Sequence, residues 1–126
     1  MQTRNETTED TVALPADMLF ATRIRAAAAA AGVHVRIVRN PDEAAAAVQA
    51  GARRLLLDLD LRGHDPVALI ERLKADPETS AVEVIAFVSH VRQDAIAAAR
   101  SAGATRVTAR SAFVRDLPAI LASPLP

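Results

Sequence analysis

Three leucines running into an aspartate, followed by a glycine turn and a helix start, constrain this chain more than any other stretch. The run is Leu55-Leu56-Leu57-Asp58-Leu59-Asp60-Leu61-Arg62-Gly63-His64-Asp65-Pro66. A short apolar run without alternation reads as a strand buried on both faces, as in parallel sheets covered by helices. A carboxylate closing such a strand lies at the carboxyl edge of the sheet, where open α/β sheets bind ligands. Asp58 is therefore the first candidate site residue.

The rest of the chain repeats the alternation of strand and helix. Thr11 to Leu14 reads as a short strand, ended by Pro15, which lacks a backbone donor. Asp17 is placed to cap a helix reaching about Ala31, and Gly32 closes it. Val33 to Val38 reads as a strand with His34 and Arg36 on its wet face, which suits an edge position. Asn40 and Pro41 open an alanine-rich helix that ends at Gly51. Arg53 to Leu59 is the central strand. Asp65 and Pro66 start a third helix, and residues 76–80 form a loop. Val82 to Val88 is a fourth strand. Val91 to Ala102 is a fourth helix, closed by Gly103. Arg106 to Ala109 is a fifth strand. A last helix lies between about Ala112 and Ala122, and Pro118 predicts that it is short or broken at Leu117.

Five strands alternating with five helices predict an α/β flavodoxin-like three-layer sandwich. Its five-stranded parallel sheet has the order 2-1-3-4-5, with helices on both faces. One domain is expected over 11–122, with a disordered polar tail at 1–10 and a short tail at 123–126. No DNA-binding output domain is expected after the last helix.

Composition removes several function classes. The formal net charge is +0, from 15 basic and 15 acidic residues, so neither nucleic acid nor a membrane surface is an expected partner. The 3 phenylalanines are unaccompanied by Trp or Tyr, which disfavours a base-stacking platform. With 0 cysteines there is no disulfide framework and no thiolate chemistry, and a reducing cytoplasm is the expected location. The polar start is not a secretory signal, and no apolar stretch reads as a membrane span.

At this level of detail the chain resembles the response-regulator receiver domain over about residues 11 to 122. Asp58 stands where receivers carry the phosphoacceptor aspartate, with Gly63 and Asp65 in the loop after it. Ala102-Gly103-Ala104 matches the family's turn before the fifth strand, and Asp17-Met18-Leu19-Phe20 matches the start of its first helix. The resemblance also marks departures. The acidic pair that holds magnesium in receivers falls on Pro15 and Ala16. The phosphoryl-contacting Thr or Ser falls on Val88, with Ser89 one residue later. The family's lysine falls on Arg110, its following proline on Ser111, and its aromatic switch position on Val107.

Those departures shape the expected chemistry. An acyl phosphate on Asp58 needs a divalent cation to gather charge, and Asp58 alone is a poor site for one. Asp17 comes one position too late, and the Asp60 side chain is expected to face away from that of Asp58. Arg110 is expected to grip Asp58 as a planar fork with two bonds, in place of a mobile lysine. Asp17, Ser89, His90, Arg110 and Ser111, with Asp58 and His64, are expected around one crevice. The face that the resemblance assigns to dimers and partners carries Arg92, Arg100, Arg106 and Arg115 among alanines.

Three functional readings follow. The first is a stand-alone receiver-like signalling domain that acts by protein–protein interaction, without regulated phosphorylation, without a cofactor and without enzymatic activity. Its partners would be a histidine kinase, a downstream signalling protein or a second copy. The second is a single-domain response regulator phosphorylated on Asp58 by its own weak catalysis, with Mg²⁺. The third is a small-ligand or anion sensor using the crevice.

Overall fold

A computed structural model describes residues 9–89 and 92–126 of the chain. The strands are β1 (Thr11–Leu14), β2 (Val35–Ile37), β3 (Arg54–Asp58), β4 (Glu83–Val88) and β5 (Arg106–Ala109). The helices are α1 (Met18–Ala31), α2 (Pro41–Gln49), α3 (Pro66–Ala75), α4 (Gln93–Ala102) and α5 (Arg110–Ala122). The strands form one parallel sheet in the order β2-β1-β3-β4-β5, as expected.

The helix starts follow the capping residues. Asp17 accepts from the Phe20 N–H at 2.8 Å, Asn40 from the Glu43 N–H at 2.9 Å and Asp65 from the Ala68 N–H at 3.0 Å. Pro41 and Pro66 each occupy the first helical turn, where a missing N–H costs nothing. Gly32 closes α1 in the left-handed conformation (φ 70°).

The period of two along β3 divides the core. Leu55 and Leu57 join Val12, Leu14, Val84 and Ala86 beneath α2, α3 and α4. Leu56 joins Ala13, Ile85 and Phe87 beneath α1 and α5. Arg54 and Asp58 share the parity of Leu56, so both belong to the α1/α5 side. All five residues of β3 are buried, two of them charged. Fully burying a large apolar side chain contributes about 1.5–3 kcal/mol, and both core faces are built from such residues.

Arg54 is 1% exposed and acts at the opposite end of the strand from Asp58. Its Nε donates to Glu83 at 2.6 Å, and its other nitrogens donate to the carbonyls of Ile120 (2.8 Å) and Pro124 (2.9 Å) and to the Ser123 hydroxyl (2.9 Å). This guanidinium closes the carboxyl end of α5, whose last carbonyls lack helical partners. Asp10 is also built in, since its carbonyl accepts from the N–H groups of Arg53 and Arg54. Residues 1–8 of the expected tail lie outside the described residues.

Several expected boundaries shift. β2 begins at Val35 rather than Val33, because the Val33 N–H returns to the Ala28 carbonyl at the end of α1. β3, β4 and α2 are each shorter by a residue or two at their ends. α4 starts at Gln93, and the expected start at Val91 lies outside the described residues. The larger correction is α5, which begins directly at Arg110 and runs unbroken through Pro118. Pro118 lies on the exposed side of that helix. The buried Phe113, Leu117, Ile120 and Leu121 hold the turns on either side of it. Tertiary packing thus overrides a local penalty of about 3 kcal/mol.

No helix among the described residues is long and apolar enough to cross a membrane.

Candidate functional site

The parallel register brings four strand ends to one edge: Leu14 beside Leu57, Asp58 beside Phe87, and Val88 beside Ala109. Ala16, Asp60, Ser89 and Arg110 follow within two residues of those ends and surround Asp58.

Asp58 is 0% exposed and both of its oxygens are engaged. The Asp60 N–H donates to Oδ1 at 2.9 Å, and the Ala16 N–H donates to Oδ2 at 2.9 Å. Arg110 Nη2 donates to the same Oδ2 at 2.7 Å. Burial pushes the Asp58 carboxyl above the ordinary carboxylate range, and neither the two backbone donors nor the Arg110 charge fully offsets it.

Arg110 binds three carboxylates. Besides Asp58, its Nη2 lies 3.4 Å from Asp60 Oδ2, and its Nη1 lies 3.6 Å from Asp17 Oδ2. The expected two-bond grip on Asp58 is not formed. The fork is shared among three acids from two segments, Asp58 and Asp60 at the end of β3 and Asp17 before α1, because α5 starts at Arg110 itself and the side chain crosses the sheet edge. Beneath it lies the Phe20 ring, 4.5 Å from the guanidinium carbon. That ring packs on Phe87 at 4.9 Å, and Phe87 stacks on Phe113 at 4.1 Å. All three phenylalanines therefore form one platform under the cation.

Asp60 does not face away from Asp58. Residues i and i+2 share a side of an extended chain, and the Asp60 N–H bond to Asp58 Oδ1 continues that relation into the turn. Asp60 Oδ2 accepts from the Ser89 N–H at 2.7 Å, and Oδ1 lies 3.6 Å from Arg92 Nη1.

The expected single crevice is two grooves. Asp17, Ser89, Arg110 and Ser111 line one of about 510 Å³ with Leu19, Phe20, Arg23 and Val114. His64 lines the other, of about 610 Å³, with Asp60, Asp65, Arg92 and Asp94, and Ser89 borders both. Asp58 lines neither, being covered by Arg110 and the backbone. His90 lies outside the described residues. On the α4–β5–α5 face, Arg106 and Arg115 both bond Asp116, at 2.8 and 3.0 Å. The Arg115 hydrogen bond, helped by the Arg106 charge, holds the Asp116 carboxyl below its ordinary range. Arg100 is exposed on α4.

The residues present do not fit the divalent cation that the resemblance implies. Such an ion needs oxygen ligands with free lone pairs facing a common point. Pro15 and Ala16 offer no side-chain oxygen, and the three nearby carboxylates are spread around a guanidinium. No group of three His, Asp or Glu among the described residues is placed to hold a metal.

No protein-family model matches the chain, and no curated protein sequence matches it. Solved structures do. A putative response regulator from Chloroflexus aurantiacus J-10-fl superposes with a TM-score of 0.76 at 22% identity, covering 92% of this chain and 99% of that one. The fold is that of the response-regulator receiver domain. The phosphorylated cyanobacterial phytochrome response regulator RcpA gives a TM-score of 0.75 at 20% identity over 94% of this chain and 99% of its own. The receiver domain of the sensor histidine kinase PA1611 from Pseudomonas aeruginosa PAO1 has magnesium coordinated in its active-site cleft. It gives 0.74 at 18% identity over 92% and 99%.

Within this receiver fold, sequence reasoning missed two site residues. Phe20 was legible only as an apolar residue on the buried stripe of α1, and nothing local marks it as the floor under Arg110. Asp60 carried a signal in its two-residue spacing from Asp58, which the strand period converts into a shared face.

Proposed function

We infer that this chain is a receiver-fold signalling module that presents a protein-binding face in one standing conformation, without regulated phosphorylation of Asp58. The observation that carries the reading is the closure of Asp58. A carboxylate that attacks phosphorus needs a free lone pair and a cation to gather the developing charge. Here both oxygens accept hydrogen bonds, Oδ2 two of them, the group is fully buried so that the lone pair left on Oδ1 is not reached from solvent, and the nearby cation is a side chain of the chain itself.

The face formed by α4, β5 and α5 is the partner surface in this reading. Arg100, Arg106 and Arg115 are its exposed cations, the last two paired with Asp116 at its rim. The partner is a protein of the signalling pathway, either a histidine kinase or a downstream component, and the module works in the cytoplasm.

The test is incubation with Mg²⁺ and acetyl phosphate or phosphoramidate, read by intact mass with Asp58→Asn as control. No stoichiometric gain is expected. A gain of one phosphoryl group that disappears in Asp58→Asn overturns the reading. Affinity capture from lysate adds the partner arm: retention by Asp58→Asn and loss by Arg100→Glu are expected, and equal behaviour of the two variants counts against the face.

A further inference from the structure

The Asp60 carboxylate is held by donors from three different elements. The Ser89 N–H at the end of β4 donates to Oδ2 at 2.7 Å. Arg110, at the start of α5, reaches the same oxygen at 3.4 Å. Arg92, the cap residue of α4, approaches Oδ1 at 3.6 Å. Two guanidinium groups and a backbone N–H converging on one side recognise an oxyanion, because arginine forks match the oxygens of carboxylates and phosphates alike. The carboxylate they hold is 19% exposed and borders an open groove of about 610 Å³, so solvent reaches the pocket.

We propose that Asp60 is a built-in anion: it fills an oxyanion pocket made by Arg92, Arg110 and the Ser89 N–H, and thereby excludes phosphate from it. The same contacts tie the start of α4 to the start of α5, so the partner face keeps its arrangement without any bound ligand. This deepens the standing-conformation reading and rests on it. The two fail separately, since that reading is tested by covalent mass on the wild type and this one by reversible binding to a variant.

The probe is inorganic phosphate, titrated at millimolar concentration and neutral pH. It is followed by calorimetry and by the Ser89 amide resonance. Wild type is expected to show no saturable binding. Asp60→Ala is expected to bind phosphate at least about tenfold more tightly than wild type, with the Ser89 amide moving on titration. Adding Arg92→Ala to Asp60→Ala is expected to remove most of that gain. Asp60→Ser, which also vacates the space of the carboxylate and removes its charge, carries the same expectation if Asp60→Ala fails to fold. A folded Asp60 variant with no gain overturns the proposal. So does wild type binding as tightly as the variant, or a gain that persists with Arg92→Ala and leaves Ser89 unmoved.

Discussion

Arg110 donates to Asp58 at 2.7 Å while its guanidinium carbon sits 4.5 Å above the Phe20 ring. One side chain is therefore fixed from both sides, by a buried carboxylate and by an aromatic face. Its remaining reach goes to Asp60 and Asp17. A lysine at this position would bring a compact ammonium on a flexible stem, whereas the rigid planar fork fixes the directions in which its donors meet the carboxylates and also lies flat on an aromatic face. The arrangement leaves Asp58 with a permanent cation of its own.

Arg110→Ala should destabilise the fold by about 2–4 kcal/mol. Removing one member of a buried pair typically costs about 3–5 kcal/mol, and the figure is lowered here because Arg110 is a quarter exposed and partly screened. Arg110→Lys should lose roughly half as much, since it keeps charge but not the shared fork. Urea unfolding with an unchanged m-value measures both. A midpoint for Arg110→Ala that matches wild type would show that the fork contributes nothing to stability.

Asp58 should lower stability at neutral pH and do so less in acid. Burial raises its folded pKa above the unfolded value of 3.8. Above the folded pKa the group is charged in both states, so the full cost of burying the charge is present. As pH falls through the folded pKa toward 3.8, the native state takes up the proton first and the cost is relieved. The stability of wild type minus that of Asp58→Asn should therefore rise as pH falls through this window. Denaturant curves at several pH values check it. A difference that falls instead would mean that Arg110 and the backbone donors outweigh burial.

Strand order, caps and the Asp58 position were legible because each rests on local chemistry: an apolar run, a cap residue, a closing glycine. Arg110 was legible through the spacing of the glycine turn at Gly103. What was not legible depends on contacts between distant segments. The path of α5 through Pro118 is decided by four buried side chains against the sheet. The division of the crevice is decided by where Asp60 and Ser89 meet. Arg54 was not singled out within the Arg53 to Leu59 strand, although a charge on a strand buried on both faces demands partners and could have been flagged on that ground.

Arg54→Met should cost about 3–5 kcal/mol and loosen the end of α5 first. Methionine fills the space but leaves the Glu83 carboxylate and the Pro124 carbonyl without this donor, and leaves the Ile120 carbonyl only its Ser123 donors. Hydrogen exchange is the sharper readout, because local opening should concentrate in the last turn of α5. Uniform acceleration across the sheet, with α5 no faster than β3, would argue against a clamp.

Gly103→Ala should be more damaging than Gly32→Ala, although both glycines close helices with positive φ. At Gly32 (φ 70°) an added Cβ meets nothing within 4 Å, so the cost is conformational alone, about 1 kcal/mol. At Gly103 (φ 117°) the Cβ would lie 2.8 Å from Lys74 Cγ, closer than packed carbon atoms allow. The Lys74 stem cannot simply swing away, because its Nζ donates to the carbonyls of Ser80 at 2.9 Å and Val82 at 2.6 Å. Relieving the clash means breaking those bonds or shifting α3 against α4, and the expected total is about 2–4 kcal/mol. The double variant Gly103→Ala with Lys74→Ala separates the two contributions: it should recover the steric part and leave the φ penalty. Equal unfolding midpoints for the two single variants would show that Lys74 is not held in place.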